Sequence, residues 1–211
     1  MIRQGVSTRR WQGRTLSPHE EMILFHQHSG PVYDTLDALR ARLHDAGIEY
    51  VVIGAFALGC YGYERATSDV DLCLRPQDLE RFRTELAGKY YEPVPKRARR
   101  FRDPATGVTF DLLVAGEFAG RVARNQQIRF PDPGEAVTVK GLRTVSLERL
   151  IELKLVTWRF RDWGDVVELI RQNHLDEAFA ERIDPLVRMA YLQCYDQKVE
   201  EDRHEEETGG H

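Results

Sequence analysis

Two short acidic segments limit what this chain can fold into more than any other feature. The first is Ser68-Asp69-Val70-Asp71-Leu72, and the second is Phe110-Asp111-Leu112. Side chains alternate between the faces of a strand. Asp69 and Asp71 therefore share one face, and Val70, Leu72 and Leu74 take the other. In the second segment Asp111 opposes Val108, Phe110, Leu112 and Val114. Each strand thus has an apolar face for a core and a face that carries carboxylates. If the two strands are neighbours, three aspartates converge on one spot. Carboxylates that close repel one another strongly unless cations lie between them. Oxygen-only ligands with open positions suit Mg²⁺ or Mn²⁺, and metal pairs of this kind serve phosphoryl transfer.

Asp-x-Asp alone is common, and strand-end solvation or capping accounts for most examples. The expectation rests on the ordered set around it. An apolar strand over residues 48–53 meets a glycine turn at Gly54, and a helix of small residues follows. Then come Arg65-x-Thr67-x-Asp69-x-Asp71 and a lone aspartate in a later strand.

The rest of the chain is read from periodicity. Apolar spacing at Val32, Leu36, Leu39 and Leu43 predicts a helix that Gly47 ends. Pro76 opens another helix. Residues 96–102 and 108–114 form a hairpin about Asp103-Pro104-Ala105-Thr106-Gly107, and residues 137–139 and 143–145 form a second one. Ser146 caps a helix, and from Leu147 onward the chain is nearly all helical. The expected class is α/β (α+β): a small mixed sheet with flanking helices, then a C-terminal helical region. The expected divisions are an N-terminal arm over 1–30, an α/β core over 31–145, a helical region over 146–198 and a polar, fraying tail over 199–211. The arm is read as a loose terminus or a short helix after Ser17-Pro18.

Composition excludes several classes. A formal charge of −4 argues against general coating of nucleic acid, although a local basic groove is compatible with it. Cys60, Cys73 and Cys194 have no paired or metal-like spacing, so they read as buried or free thiols in a reducing compartment. No apolar run is long enough to span a membrane, and Met1-Ile2-Arg3-Gln4-Gly5 lacks the apolar stretch of a secretory signal. The expectation is a soluble, cytoplasmic protein with no membrane partner.

The ordered set resembles the nucleotidyltransferase superfamily with the polymerase-beta-like fold. Such proteins run strand, Gly-Gly or Gly-Ser turn, helix, Asp-x-Asp strand and a third Asp on a later strand. The chain looks most like small bacterial nucleotidyltransferase-like proteins, including the toxin halves of AbiEii-type abortive-infection systems. The resemblance runs from about Tyr33 to Tyr195. Its later pieces are Arg99-Arg100-Phe101-Arg102-Asp103-Pro104, Phe130-Pro131-Asp132-Pro133, Ser146-Leu147-x-x-Leu150-Ile151-x-Leu153-Lys154 and Arg161-Asp162-x-x-Asp165. It departs from the pattern at Ala55, where Gly or Ser is usual, so only backbone N–H groups are available there for a phosphate.

The resemblance implies transfer of a nucleoside monophosphate from an NTP donor to an acceptor hydroxyl, with release of pyrophosphate and with Mg²⁺ or Mn²⁺ as cofactor. Asp69, Asp71 and Asp111 would be the metal-binding and catalytic residues. Gly54, Ala55 and Lys154 would hold phosphates. The acceptor stays open among tRNA, a protein hydroxyl and a small molecule, and a toxin half would have an antitoxin protein as partner. A catalytically inactive module that binds a nucleotide or a partner with the same fold is the alternative.

Other candidates carry two readings each. Arg65, Thr67 and Ser68 would touch the triphosphate, or make loop hydrogen bonds and a salt bridge to Glu64 or Asp69. Lys154 lies in a largely apolar helix, so it must snorkel or find an anion, either a phosphate or Asp162. Lys96, Arg97, Arg99, Arg100 and Arg102 make an acceptor groove, or a solvated edge strand whose charges prevent aggregation. Trp158, Phe160 and Trp163 read as packing residues at a helix junction. His26 and His28 lack nearby metal ligands, and His204 and His211 read as solvent residues.

Overall fold

The computed structural model describes residues 9–120 and 127–208. The Met1-to-Gly5 stretch and His211 lie outside the described residues. The described chain opens with a hairpin of β1 (Arg9–Trp11) and β2 (Arg14–Leu16), followed by helix α1 (Pro18–His26). Ser17 caps α1 through a reciprocal box: its hydroxyl accepts from the Glu20 N–H, and the Glu20 carboxylate accepts from the Ser17 N–H. Two bonds tie the hairpin to the body of the protein. Trp11 Nε1 donates to Asp34 at 2.7 Å, and Arg9 donates to the Ser68 carbonyl at 2.8 Å. The hairpin escapes a periodicity reading because its strands are three residues long and mostly polar.

Next come α2 (Pro31–Asp45), β3 (Tyr50–Ile53), α3 (Gly54–Cys60), β4 (Asp69–Leu74) and α4 (Pro76–Glu85). Strands β5 (Glu92–Pro93), β6 (Arg100–Arg102), β7 (Thr109–Val114), β8 (Val137–Val139) and β9 (Leu142–Thr144) complete the sheets. The main sheet has seven strands in the order β5-β6-β7-β4-β3-β9-β8. It is mixed: β4 runs parallel to β7 and β3 parallel to β9, and the other neighbours are antiparallel.

Each face of the sheet carries its own core, as alternation requires. Val52, Val70, Leu72, Leu74, Phe110 and Leu112 pack against α2 and α4 through Leu36, Leu39, Leu43, Leu79 and Phe82. On the opposite face Val51, Ile53 and Cys73 join Ile151, Leu155, Val166, Ile170 and Tyr191 from the C-terminal helices. Asp69 and Asp71 belong to this second face. The sheet thereby presents its carboxylates where the helical region meets the strands. All three cysteines are buried and free.

The C-terminal helices are α5 (Leu147–Leu155), α6 (Phe160–Gln172) and α7 (Arg188–Thr208), with short 3-10 turns at Glu177–Arg182 and Pro185–Val187. The described part of the polar tail, residues 199–208, continues α7. Ion pairs extend that helix: Lys198 with Asp202 at 2.6 Å, and Arg171 of α6 with Glu201 at 2.8 Å and Asp202 at 3.3 Å. Among the described residues no helix is long and apolar enough to cross a membrane.

Candidate active site

Strand register builds the acidic site. Asp71 lies directly opposite Asp111 on β4 and β7, and Asp69 lies opposite Thr109. The three aspartates of the sequence pattern therefore stand on one face of two adjoining strands. Burial pushes the Asp71 carboxyl up to about 7, and the charges of Asp69 and Asp111 add to the shift. Lys154 and Arg100 oppose it.

The third strand supplies a cation. Arg100 of β6 pairs in register with Asp111. Its Nη2 lies 2.8 Å from Asp111 Oδ2 and 3.0 Å from Asp69 Oδ2, and its Nε donates to Asp111 Oδ1 at 3.0 Å. One guanidinium thus bridges carboxylates from two strands. Thr67 donates its hydroxyl proton to Asp69 Oδ1 at 2.9 Å. Among the described residues no group of three or more His, Cys, Asp or Glu side chains is already placed to hold a metal ion. The donor chemistry of Asp69, Asp71 and Asp111 still fits Mg²⁺ or Mn²⁺: it is all carboxylate oxygen, and the Arg100 cation already bridges two of its members.

The glycine turn abuts this site. Gly54 has φ +68°, and a Cβ placed on it would lie 2.2 Å from Asp71 Oδ2. Glycine is required twice over, by the left-handed backbone and by the approach of the carboxylate. No side chain caps α3, which leaves its first backbone N–H groups uncovered by a side-chain acceptor. Ala55 is buried there and also lines a cavity of about 300 Å³ with Phe25, Tyr33, Phe56 and Glu64. Ser68 is exposed, and its carbonyl accepts from Arg9.

Lys154 is buried in α5 and donates to Asp162 Oδ1 at 3.1 Å and to Asp165 Oδ2 at 2.7 Å. An ammonium has three donors, so one remains for Asp71 or for a ligand. Arg65 pairs with Asp165 at 3.0 Å rather than with Glu64 or Asp69. Glu64 instead meets His28 at 2.7 Å. The sequence offers Asp162 as a partner for Lys154, and the structure pairs them. Asp165 was visible only as part of Arg161-Asp162-x-x-Asp165, where i, i+3 spacing puts both carboxylates on one helix face.

The basic segment divides. Arg99 pairs with Glu117, and Arg100 turns to the aspartates. A hollow of about 410 Å³ opens beside Asp111, lined by Lys96, Arg97, Ala98, Arg99 and Arg100. At the helix junction Trp163 is half-buried against the core, but Phe160 is 96% exposed. The packing expectation therefore fails for Phe160, because α6 starts at this residue and points it away from the body.

No protein-family model matches the chain. No curated protein matches it either. Three solved structures are similar to it in the course of the chain, at low identity. The solution structure of the antibiotic-resistance factor ANT(2'')-Ia has a TM-score of 0.44 and 14% identity over 82% of this chain and 95% of that one. The crystal structure of ANT(2'')-Ia in complex with adenylyl-2''-tobramycin has a TM-score of 0.44 and 16% identity, covering 77% and 97%. JHP933 from Helicobacter pylori has a TM-score of 0.39 and 15% identity, covering 79% and 91%. Each is a likeness in the course of the chain.

Proposed function

We propose that this chain is a metal-dependent nucleotidyltransferase, which moves an NMP group from an NTP to an acceptor hydroxyl. The observation that carries the reading is the placement of Asp69, Asp71 and Asp111 on one face of two neighbouring strands, against the Gly54 turn. Asp69, Asp71 and Asp111 would hold Mg²⁺ or Mn²⁺, which supplies neutralisation of the charge that develops on the transferred phosphoryl group. The uncapped start of α3 at Gly54 and Ala55 offers N–H groups to the donor phosphates. Lys154 and Arg65, already fixed by Asp162 and Asp165, bring positive charge to the same side. Thr67 orients Asp69. Ser68, exposed beside it, offers a hydroxyl to the triphosphate. In the transfer the acceptor oxygen bonds to the α-phosphorus, the bond from that phosphorus to the bridging oxygen breaks, and pyrophosphate leaves. Asp111 accepts the acceptor's proton. The hollow beside Asp111 leaves room for the acceptor, whether tRNA, a protein hydroxyl or a small molecule. A toxin role with an antitoxin partner is compatible with this chemistry.

A second reading has its own observation. Arg100 already neutralises Asp69 and Asp111, and Ala55 lacks the hydroxyl usual at that turn. Both suit a module that binds a nucleotide or a partner without transferring anything. Calorimetric titration with each NTP in Mg²⁺, paired with incubation of each α-labelled NTP with and without bulk tRNA, separates the two. Binding with label transfer supports the enzyme, and binding without transfer to any acceptor supports the module. No binding of any NTP contradicts the transferase and the nucleotide-binding module, and leaves the partner-binding module.

A further inference from the structure

We propose that Arg100 is a resident counter-cation of the acidic site, which a divalent cation must displace from Asp69 and Asp111. The inference rests on the metal-site reading given above. An ordinary ion pair on a half-exposed strand joins one carboxylate to one cation and contributes little. Arg100 does something different. Its backbone register against Asp111 aims the side chain across β7, and its guanidinium reaches Asp69 on the strand beyond. The neighbouring residue Phe101 anchors β6 from the other face, packed on Phe82 and Phe110. The backbone is thus held, but the Arg100 side chain remains 32% exposed beside the open hollow. It can leave the carboxylates without disturbing the strand.

A guanidinium keeps its charge at any ordinary pH, so only a competing cation or anion moves it. Two consequences follow. In the free protein, a divalent cation must compete with Arg100, so metal affinity is reduced. A nucleotide phosphate gives the displaced guanidinium a new partner, so metal and nucleotide bind with positive coupling, each raising the affinity for the other.

The test is Mn²⁺ binding by calorimetry in the absence of nucleotide, with folding checked by circular dichroism. Arg100→Gln should bind Mn²⁺ about tenfold more tightly than the wild type, because the competitor is gone while a polar side chain remains. Arg100→Lys should fall between, since it keeps the charge and loses the fork that bridges two carboxylates. The gain in Mn²⁺ affinity that a non-hydrolysable NTP brings should shrink in Arg100→Gln. Equal or weaker Mn²⁺ affinity in Arg100→Gln, or no detectable Mn²⁺ binding, overturns the proposal. If that variant does not fold, Arg100→Lys decides by the same criterion. Tighter Mn²⁺ binding without transfer by the wild type keeps this inference and sinks the transferase reading. Transfer by the wild type with unchanged Mn²⁺ affinity in the variants does the reverse.

Discussion

Gly54 and Asp71 lean on one another, and each has a measurable consequence. Alanine at position 54 would have to hold φ +68° and place its Cβ against Asp71 Oδ2. Gly54→Ala should therefore cost roughly 2–4 kcal/mol in urea unfolding. If the collision is the cause, adding Asp71→Ala should recover part of that loss in a double-mutant cycle, and simple additivity would rule the collision out. Asp71 also predicts a pH dependence. Its carboxyl is raised from 3.8 to about 7, so the folded protein holds this proton more tightly than the unfolded chain does. The stability it contributes is present in full below pH 3.8 and is lost as the pH rises to about 7. Asp71→Asn should flatten that part of the profile when unfolding midpoints are followed across the window, and a profile as steep as the wild type's would contradict the assignment. At this scale the aspartates were legible, because a period of two is written in the residues themselves. Arg100 as their partner was not, because its position opposite Asp111 depends on the register set by the Asp103–Gly107 turn.

Helices α5 and α6 are joined by a charged knot rather than by apolar contact alone. Lys154 of α5 binds Asp162 and Asp165 of α6, Thr157 donates to Asp162 at 2.6 Å, and Arg65 closes on Asp165 from the loop before β4. Removing one member leaves buried charge uncompensated. Lys154→Ala should cost about 3–5 kcal/mol in unfolding free energy. A loss of NTP affinity without any loss of stability would instead show that Lys154 serves the ligand alone. The long elements were legible because apolar spacing and caps agreed, as in α2 and in Ser146 before α5. The two-residue β5 was not legible, since a pair of residues carries no period. The length of α7 was also hidden: its last turns are polar, and tertiary pairs from Arg171 hold them.

For the molecule as a whole, the sheet divides two cores and places Asp69, Asp71 and Asp111 on the face that the C-terminal helices cover. The mixed α/β class followed from the order of strands and helices in the sequence. The seven-strand order did not, because β9 inserts beside β3 through contacts far apart in the chain, including the Thr144 hydroxyl on the Val52 carbonyl at 2.9 Å. The central claim is that this arrangement transfers a nucleoside monophosphate. The most direct measurement compares NTPs labelled at the α- and at the γ-phosphorus, incubated with Mg²⁺ and a pool of RNA, protein and small-molecule acceptors. The account predicts that α-label enters an acceptor, that γ-label appears in pyrophosphate, and that a folded Asp71→Asn variant does neither. Entry of γ-label into an acceptor, or equal transfer by Asp71→Asn, would contradict it.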